Sequence, residues 1–373
     1  MRWDGGVVGA GPAGSATAAR LAAGGWRVLL LDREEFPRRK PCGECVNPAG
    51  VAALARLGVL GGVLALAPAP IHGWRVHAGA ARSFAGRFPA GVHGLGVPRD
   101  RLDTLLLEHA RAAGVAVRTG VHVTDLLRDG GGRVDGVVAE GEEIRARVVV
   151  GADGLRSVVL RRLGLVRRPP RLRKLALTAH LRHDAPADGA GELRVLGRRC
   201  LGLAAVGPGL ANAVVVLPTE EAGEVGGDAA AFFDQSLRAF GVEGGRTDEV
   251  LATGPFDFPA RRATVDGALL VGDAAGYYDP FTGQGIHRAL RGAELAASTI
   301  DAALRAGEAT ARALAPYERA RRRAFAPGEA LQHGIEAVVS RPRLFAAAAR
   351  LLAWPPLGNA VVRAAGDTLR APR

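Results

Sequence analysis

The feature that most constrains the fold stands at the start of the chain. The stretch GGVVGAGPAGSATAARLAAGGWRVLLLDRE, Gly5 to Glu34, places a glycine-rich turn between two apolar runs. Gly9, Gly11 and Gly14 read G-x-G-x-x-G directly after the first run. In such a motif the first glycine makes the turn. The second lets backbone approach a pyrophosphate, and the third lets a helix pack closely on a sheet. The pattern predicts a helix from about Pro12 to Ala23, stopped by Gly24-Gly25. Its N-terminus would offer unpaired N–H groups and a positive dipole end to phosphates. The second strand ends at Asp32, about 20 residues on, where a carboxylate accepts ribose hydroxyls. Strand, turn, helix, strand and terminal acid together point to dinucleotide binding.

Two later segments narrow the reading. VVVGADGLRSVVLRRLG, from Val148, is an apolar strand running into Asp153-Gly154. GALLVGDAAGYYDPFTGQGIHRALRGAELAA, from Gly267, is another strand ending at Gly272-Asp273, then a loop, then a helix from near Gly283 through Ala297. With the N-terminal motif, these resemble the three fingerprints of single-FAD oxidoreductases of the para-hydroxybenzoate hydroxylase fold. The resemblance implies one FAD held by Gly9, Gly11, Pro12, Ala13, Gly14, Asp32 and Arg33, then by Asp153, Asp273, Pro280, Gly283, Gly285 and Ile286. It implies further contacts from Arg99, which opens an R-x-x-L-D pattern, and from Val123 on the adenine side. Asp153 also has a plainer reading as a helix cap, and Arg99 one as a solvated helix-start residue. Backbone N–H groups of Gly285 and Ile286 would face the flavin N1–C2 edge, where a helix N-terminus favours negative charge.

The segment FPRRKPCGECVNPAG, Phe36 to Gly50, holds Cys42 and Cys45, two of three cysteines. It resembles the geranylgeranyl reductase-like branch of these flavoproteins in Pro37, Arg38, Lys40, Cys42, Gly43 and Glu44. Asp279, Pro280, Gly283, Gly285 and Ile286 carry the same likeness in the third segment. In that branch the residue matching Cys42 lies near the isoalloxazine. The preferred reading is a Cys42–Gly43 wall of the flavin pocket, with Gly43 allowing close backbone approach. A working Cys42–Cys45 dithiol and chance cysteine both stay open beside it. A zinc half-site needs a second cysteine pair, and only Cys200 remains, so no metal is expected.

The fold expected is α/β: a Rossmann-like FAD-binding domain, an antiparallel β-sheet substrate domain and a helical C-terminal tail. The FAD-binding domain is assigned to residues 1–70, 98–173 and 255–306. The substrate sheet takes 71–97 and 174–254, where alternating runs such as LALTAHLRH and GELRVLG read as strands. The tail, 307–373, is expected to break at Pro327, Pro342 and Pro355-Pro356. A helix is expected to be capped near Asp100, and Gly130-Gly131-Gly132 to turn a hairpin. His72, His77, His93, His180 and His183 are scattered over the strands and read as surface or hydrogen-bonded residues rather than metal ligands.

The formal net charge is +12, which would raise nucleic acid as a partner. The only lysines are Lys40 and Lys174, and the arginines are spread without aromatic interleaving, so no nucleic-acid partner is expected. No run of 18 apolar residues occurs, and glycines with Arg20 interrupt any leader-like core, so a cytoplasmic enzyme is the expectation. The arginine-rich tail leaves open a peripheral membrane contact beside the commoner solvated cap.

Two reactions are compatible with this reading. One is reduction or dehydrogenation of carbon–carbon bonds in an apolar molecule, isoprenoid or polyketide-like, with NAD(P)H as external donor. The other is hydroxylation by a single-component flavin monooxygenase. A flavin-free dinucleotide-binding scaffold is a third class, which a colourless pure protein would indicate. The prenyl reductases' Y-x-W-x-F-P sheet motif is replaced here by CLGLAAVGPG, and the halogenase W-x-W-x-I-P signature is absent. Cys42, Tyr278 and His287 are the candidate catalytic residues, with Tyr277 beside them. The sequence says nothing of oligomeric state.

Overall fold

The computed structural model describes residues 2–79, 82–184, 186–279 and 281–368, so Pro280 lies outside the described residues. A parallel sheet forms the first layer. Its order is Ala268–Leu270, Glu142–Gly151, Arg2–Val8, Val28–Leu31 and Ala116–Arg118. Val28, Leu29, Leu30 and Leu31 are all buried. That continuous apolar run is what a strand covered on both faces requires. Helix Pro12–Ala23 packs between helices Arg99–Ala112 and Gly285–Arg305 beside this sheet. Their small residues Ala13, Ala16, Ala289, Ala293 and Ala296 are buried in one core with the strands. A meander, Val123–Arg128, Val134–Ala139 and Glu142–Gly151, extends the sheet, with the predicted glycine turn between its first two strands.

The second layer is a seven-stranded sheet. Its order is Leu251–Thr253, Lys174–Arg182, Leu210–Pro218, Arg199–Gly207, Ala190–Leu196, Gly73–Ala78 and Ser83–Arg87. The expectation of an antiparallel sheet needs one correction: Gly73–Ala78 and Ala190–Leu196 pair in parallel. A strand entering from residues 71–97 has no tight hairpin to the 190s, so nothing forces opposite directions. Strand alternation gives this sheet two faces. Leu177, Ala179, Leu181, Ala213, Val215 and Leu217 point one way, onto Phe232, Phe233 and Leu237 of a helix, Ala229–Ala239, that the alternating pattern did not announce. Ala176, Thr178, Val214 and Val216 point the other way, into a cavity.

Two boundaries also differ from expectation. The cap of helix Arg99–Ala112 is Pro98, not Asp100, and no side chain caps it. Pro327 does not break the tail: Ala311–Val339 is one helix containing Pro316 and Pro327. An interior proline costs about 3 kcal/mol. Here burial of Leu314, Tyr317, Phe325 and Gln332 on the same helix offsets it. Helices Pro342–Leu352 and Pro355–Ala365 follow, each started by its proline as expected. The tail is more than a cap, because Ile335, Val338, Phe345 and Val362 form a wall of the cavity. Leu351 and Trp354 on it are 67% and 61% exposed. Among the described residues, no helix is long and apolar enough to cross a membrane.

Candidate active site

The strands Arg2–Val8, Val28–Leu31, Glu142–Gly151 and Ala268–Leu270 lead into Gly9, Asp32, Ala152 and Gly272. Ligands of open α/β sheets bind at such carboxyl ends. Gly9 has φ +99°, a conformation that favours glycine, and its N–H donates to Leu31 O at 2.7 Å. A Cβ on Gly14 would meet Gly9 O at 1.7 Å, so only glycine lets the helix sit this close to the turn. Gly11 is different: a Cβ there would meet nothing nearer than Arg38 Nη2 at 3.7 Å and Arg99 Nη2 at 3.9 Å. A side chain added there would touch two guanidinium groups and no backbone.

Those cations are buried. Arg99 pairs bidentately with Asp103, at 2.7 Å for both bonds, and Asp103 also holds Arg38 Nη1 at 3.2 Å. Lys40 lines the same space, and burial, then the Arg99 charge, pushes its pKa down. Arg38 Nε is buried without a partner among the described residues. Buried cations in excess of their counter-ions are costly. Two guanidinium groups beside Gly11, with Lys40 on the same wall, therefore fit an anionic group such as a pyrophosphate.

Asp32 is buried and already used in the turn. It accepts Ala10 N–H at 2.6 Å and Glu34 N–H at 2.9 Å. Its neighbour Arg33 is exposed and pairs with Glu34. Val123 begins a strand two residues after Val121, whose N–H donates to Asp32 O at 2.9 Å. Asp153 is not on the cavity wall: its carboxylate accepts Ser157 Oγ and Val158 N, both at 2.6 Å, and so braces the start of helix Val158–Arg162. That is the plainer of its two readings.

The cavity below the cradle measures about 1000 Å³. Pro12, Ala13, Cys42, Gly43, Asp273, Gly283, Gly285 and Ile286 line it, so the structure brings three separate segments to one chamber. Helix Gly285–Arg305 has no side-chain cap, which leaves its first N–H groups directed at the chamber. A Cβ on Gly43 would meet nothing within 4 Å. The residues present thus fit FAD, with the cradle for its phosphates and the chamber for its ring.

The catalytic candidates separate. Cys42 lines the chamber. Tyr278 and His287, the other two candidates, are not among its lining residues. The Tyr278 ring stacks on His333, 4.1 Å between centroids. His287 is turned between helices, edge-on to Phe325, and burial, then Arg56, lowers its pKa to about 4. The phenol at the wall is Tyr277, whose pKa burial pushes well up, so it stays protonated.

The CGEC loop is tied to the sheet behind it. Asn212 Nδ2 donates to Cys42 O at 2.7 Å, and Thr178 Oγ1 donates to Asn212 Oδ1 at 2.9 Å. Cys42 and Cys45 are free thiols. Cys42 Sγ accepts Glu44 N–H at 3.3 Å, whereas Cys45 Sγ donates to Gly43 O at 3.1 Å. Burial, then the Cys42 and Glu44 charges, raises the Cys45 pKa, which opposes the thiolate a relay would need. Cys45→Ser should therefore leave turnover within about twofold, since a thiol that stays protonated performs no exchange. Cys42→Ser should shift the flavin absorbance and change the rate several-fold. Equal loss in both variants, with a titratable disulfide, would restore the dithiol reading.

Sequence reasoning missed the partners that complete this site. Asp103 closes the R-x-x-L-D pattern that Arg99 opens, but the pattern does not disclose its ion pairs; Asp248 stands in no motif, and His180 reads as one scattered histidine among several. Lys174, held between Asp279 at 3.2 Å and Glu336 at 2.5 Å, lines the chamber and is equally silent in the sequence. Among the described residues no cluster of three metal-ligating side chains occurs.

Comparison with known proteins agrees with this geometry. The profile of a family described as FAD binding domain matches residues 2–328. The chain is 33% identical over 302 residues to a rifampicin monooxygenase of Streptomyces venezuelae, a match covering 77% of this chain and 61% of that protein. It is 31% identical over 317 residues to a menaquinone reductase of Mycolicibacterium smegmatis, covering 79% and 75%. It is 32% identical over 344 residues to digeranylgeranylglycerophospholipid reductase 1 of Methanopyrus kandleri, covering 85% of each.

Proposed function

The chain belongs to the FAD binding domain family and is an FAD-dependent oxidoreductase, and on that premise we propose that it reduces carbon–carbon double bonds of an apolar molecule. The observation that carries this reading is the wall opposite the cradle. Val76, Val195, Val214, Val216, Ile335 and Val338 present aliphatic surface to the chamber from both the sheet and the tail. Apolar walls with few polar groups select apolar ligands. The strand that replaces the prenyl reductases' aromatic motif contributes Cys200, Gly202 and Ala204 to the floor. These small side chains widen the chamber, which favours a bulky isoprenoid or polyketide-like skeleton over a thin chain. The relatives named for menaquinone and for digeranylgeranylglycerophospholipid support a lipid-like substrate.

FAD, when bound, supplies the two-electron chemistry. The protein's own groups orient substrate and hold protons. Burial keeps the Tyr277 phenol protonated at the wall, where it can donate a proton to substrate carbon. Cys200 is buried there too, its thiol pushed up to about 12, so it also stays neutral. NAD(P)H is proposed as the external donor.

Hydroxylation is the second reading, favoured by the likeness to rifampicin monooxygenase. Steady-state assays separate the two. NADPH oxidation should depend on an apolar alkene and proceed without oxygen uptake. Oxygen consumed in step with product would replace reduction by hydroxylation.

A further inference from the structure

His180 lies behind the chamber wall on strand Lys174–Arg182, 9% exposed. Both ring nitrogens meet carboxylates: Nε2 is 2.6 Å from Glu44 Oε2 and Nδ1 is 2.6 Å from Asp248 Oδ2. A neutral imidazole has one N–H and can satisfy only one of two carboxylates, whereas an imidazolium satisfies both.

Each carboxylate holds one end of the same loop. Asp248 takes Arg39 Nη2 at 2.9 Å and also accepts His180 N–H at 2.9 Å. Glu44 accepts Arg99 N–H through Oε1 at 2.8 Å, at the start of a helix whose Arg99 side chain faces the phosphate cradle. Glu44 has φ +55°, a left-handed conformation that a non-glycine residue adopts at a cost. Between Arg39 and Glu44 lie Lys40 and Cys42, both on the chamber wall.

We propose that His180 is a positioning residue for the cofactor-facing loop: as an imidazolium it bridges Glu44 and Asp248, pins residues 39–44 at both ends against the sheet, and makes FAD retention depend on its protonation. The charged groups around it are Glu44 on the loop, Asp248 before the edge strand, Arg39 on the far side of Asp248, and Arg246, whose Nη1 donates to Asp248 O at 3.3 Å. Burial lowers the histidine's pKa, but the Glu44 and Asp248 hydrogen bonds and charges outweigh it and raise the value overall. The sign follows from linkage. A group whose folded pKa is raised stabilises fully below its ordinary value of about 6.5 and ceases to do so as pH rises through the raised value. The clamp holds at low pH and lets go above it. The inference rests on FAD binding and is independent of whether the reaction is reduction or hydroxylation.

The test is FAD release from holoprotein, followed by flavin fluorescence from pH 5.5 to 9.5. Wild-type release should accelerate on the order of tenfold as pH rises through the raised value, the weight of one charged hydrogen bond. H180Q should release FAD fast at every pH, with no step, because glutamine carries no charge, does not titrate and donates from one nitrogen only, whereas the carboxylates lie at two separate ring nitrogens. D248N should weaken retention in the same direction. If H180Q keeps the wild-type pH step, another group such as Lys40 is responsible and the proposal falls. A second measurement needs no variant that must fold: in wild-type holoprotein labelled with ¹⁵N at histidine, His180 should stay doubly protonated past pH 6.5. Titration below that value would overturn the clamp.

Discussion

Gly11→Val should yield a folded protein without flavin. The substituted Cβ meets no backbone, and φ −70° with ψ −175° is open to valine. What the side chain crowds is the space before Arg38 Nη2 and Arg99 Nη2, the donors nearest Gly11. Removing two charge-assisted hydrogen bonds to phosphate, at about 1.5–3 kcal/mol each, weakens binding by about a hundredfold or more. Purified variant should carry under about a tenth of the wild-type flavin, with unchanged far-ultraviolet dichroism. Its thermal midpoint should fall only by the contribution that bound ligand makes. Full occupancy by absorbance would remove the pyrophosphate from this cradle.

Gly14→Ala should do the opposite kind of damage, through the fold. The added methyl carbon would stand 1.7 Å from Gly9 O, far inside the reach of two non-bonded atoms. Gly9 cannot yield, because it is fixed at φ +99° and its own Cβ position is 2.5 Å from Ala152 O. The helix must lift off the sheet, which opens the core containing Ala13, Ala16 and Leu21. A destabilisation of at least about 3 kcal/mol is expected, at the upper end for overpacking. Soluble yield and thermal unfolding measure it, and excess FAD should not rescue it. A variant within about 1 kcal/mol of wild type would mean that the close approach is not required. The two glycines, three residues apart, thus serve different ends: one is kept for ligand, the other for packing.

How much of this was legible depended on how local the cause was. Gly9, Gly11, Gly14 and Asp32 act through neighbours in sequence, so their spacing disclosed both the turn and the helix Pro12–Ala23. Gly283, Gly285 and Ile286 were legible for the same reason, since a loop feeding a helix N-terminus is a local event. The parallel pair in the second sheet was hidden because direction is set by a partner more than a hundred residues away. Pro327 misled because its cost is local and what offsets it is tertiary. Tyr277 and Tyr278 are adjacent and chemically alike. Only the backbone pairing of Tyr277 with Phe258 decides which ring enters the chamber. His180 reads as one of several scattered histidines, since its partners Glu44 and Asp248 lie 136 and 68 residues away and no periodicity joins them. Arg38, Lys40 and Arg99 were each visible as parts of motifs, but the ion pairs that Asp103 makes with Arg38 and Arg99 join two distant segments and were not.

The reduction reading meets its most direct test in a single anaerobic turnover. Holoenzyme is photoreduced without oxygen and mixed with an apolar substrate bearing a conjugated carbon–carbon double bond. The flavin absorbance should return at once, and the product should be about 2 Da heavier by mass spectrometry, one hydrogen added to each carbon. Flavin that stays reduced until oxygen is admitted, with a product about 16 Da heavier, would contradict the account and make this protein a hydroxylase.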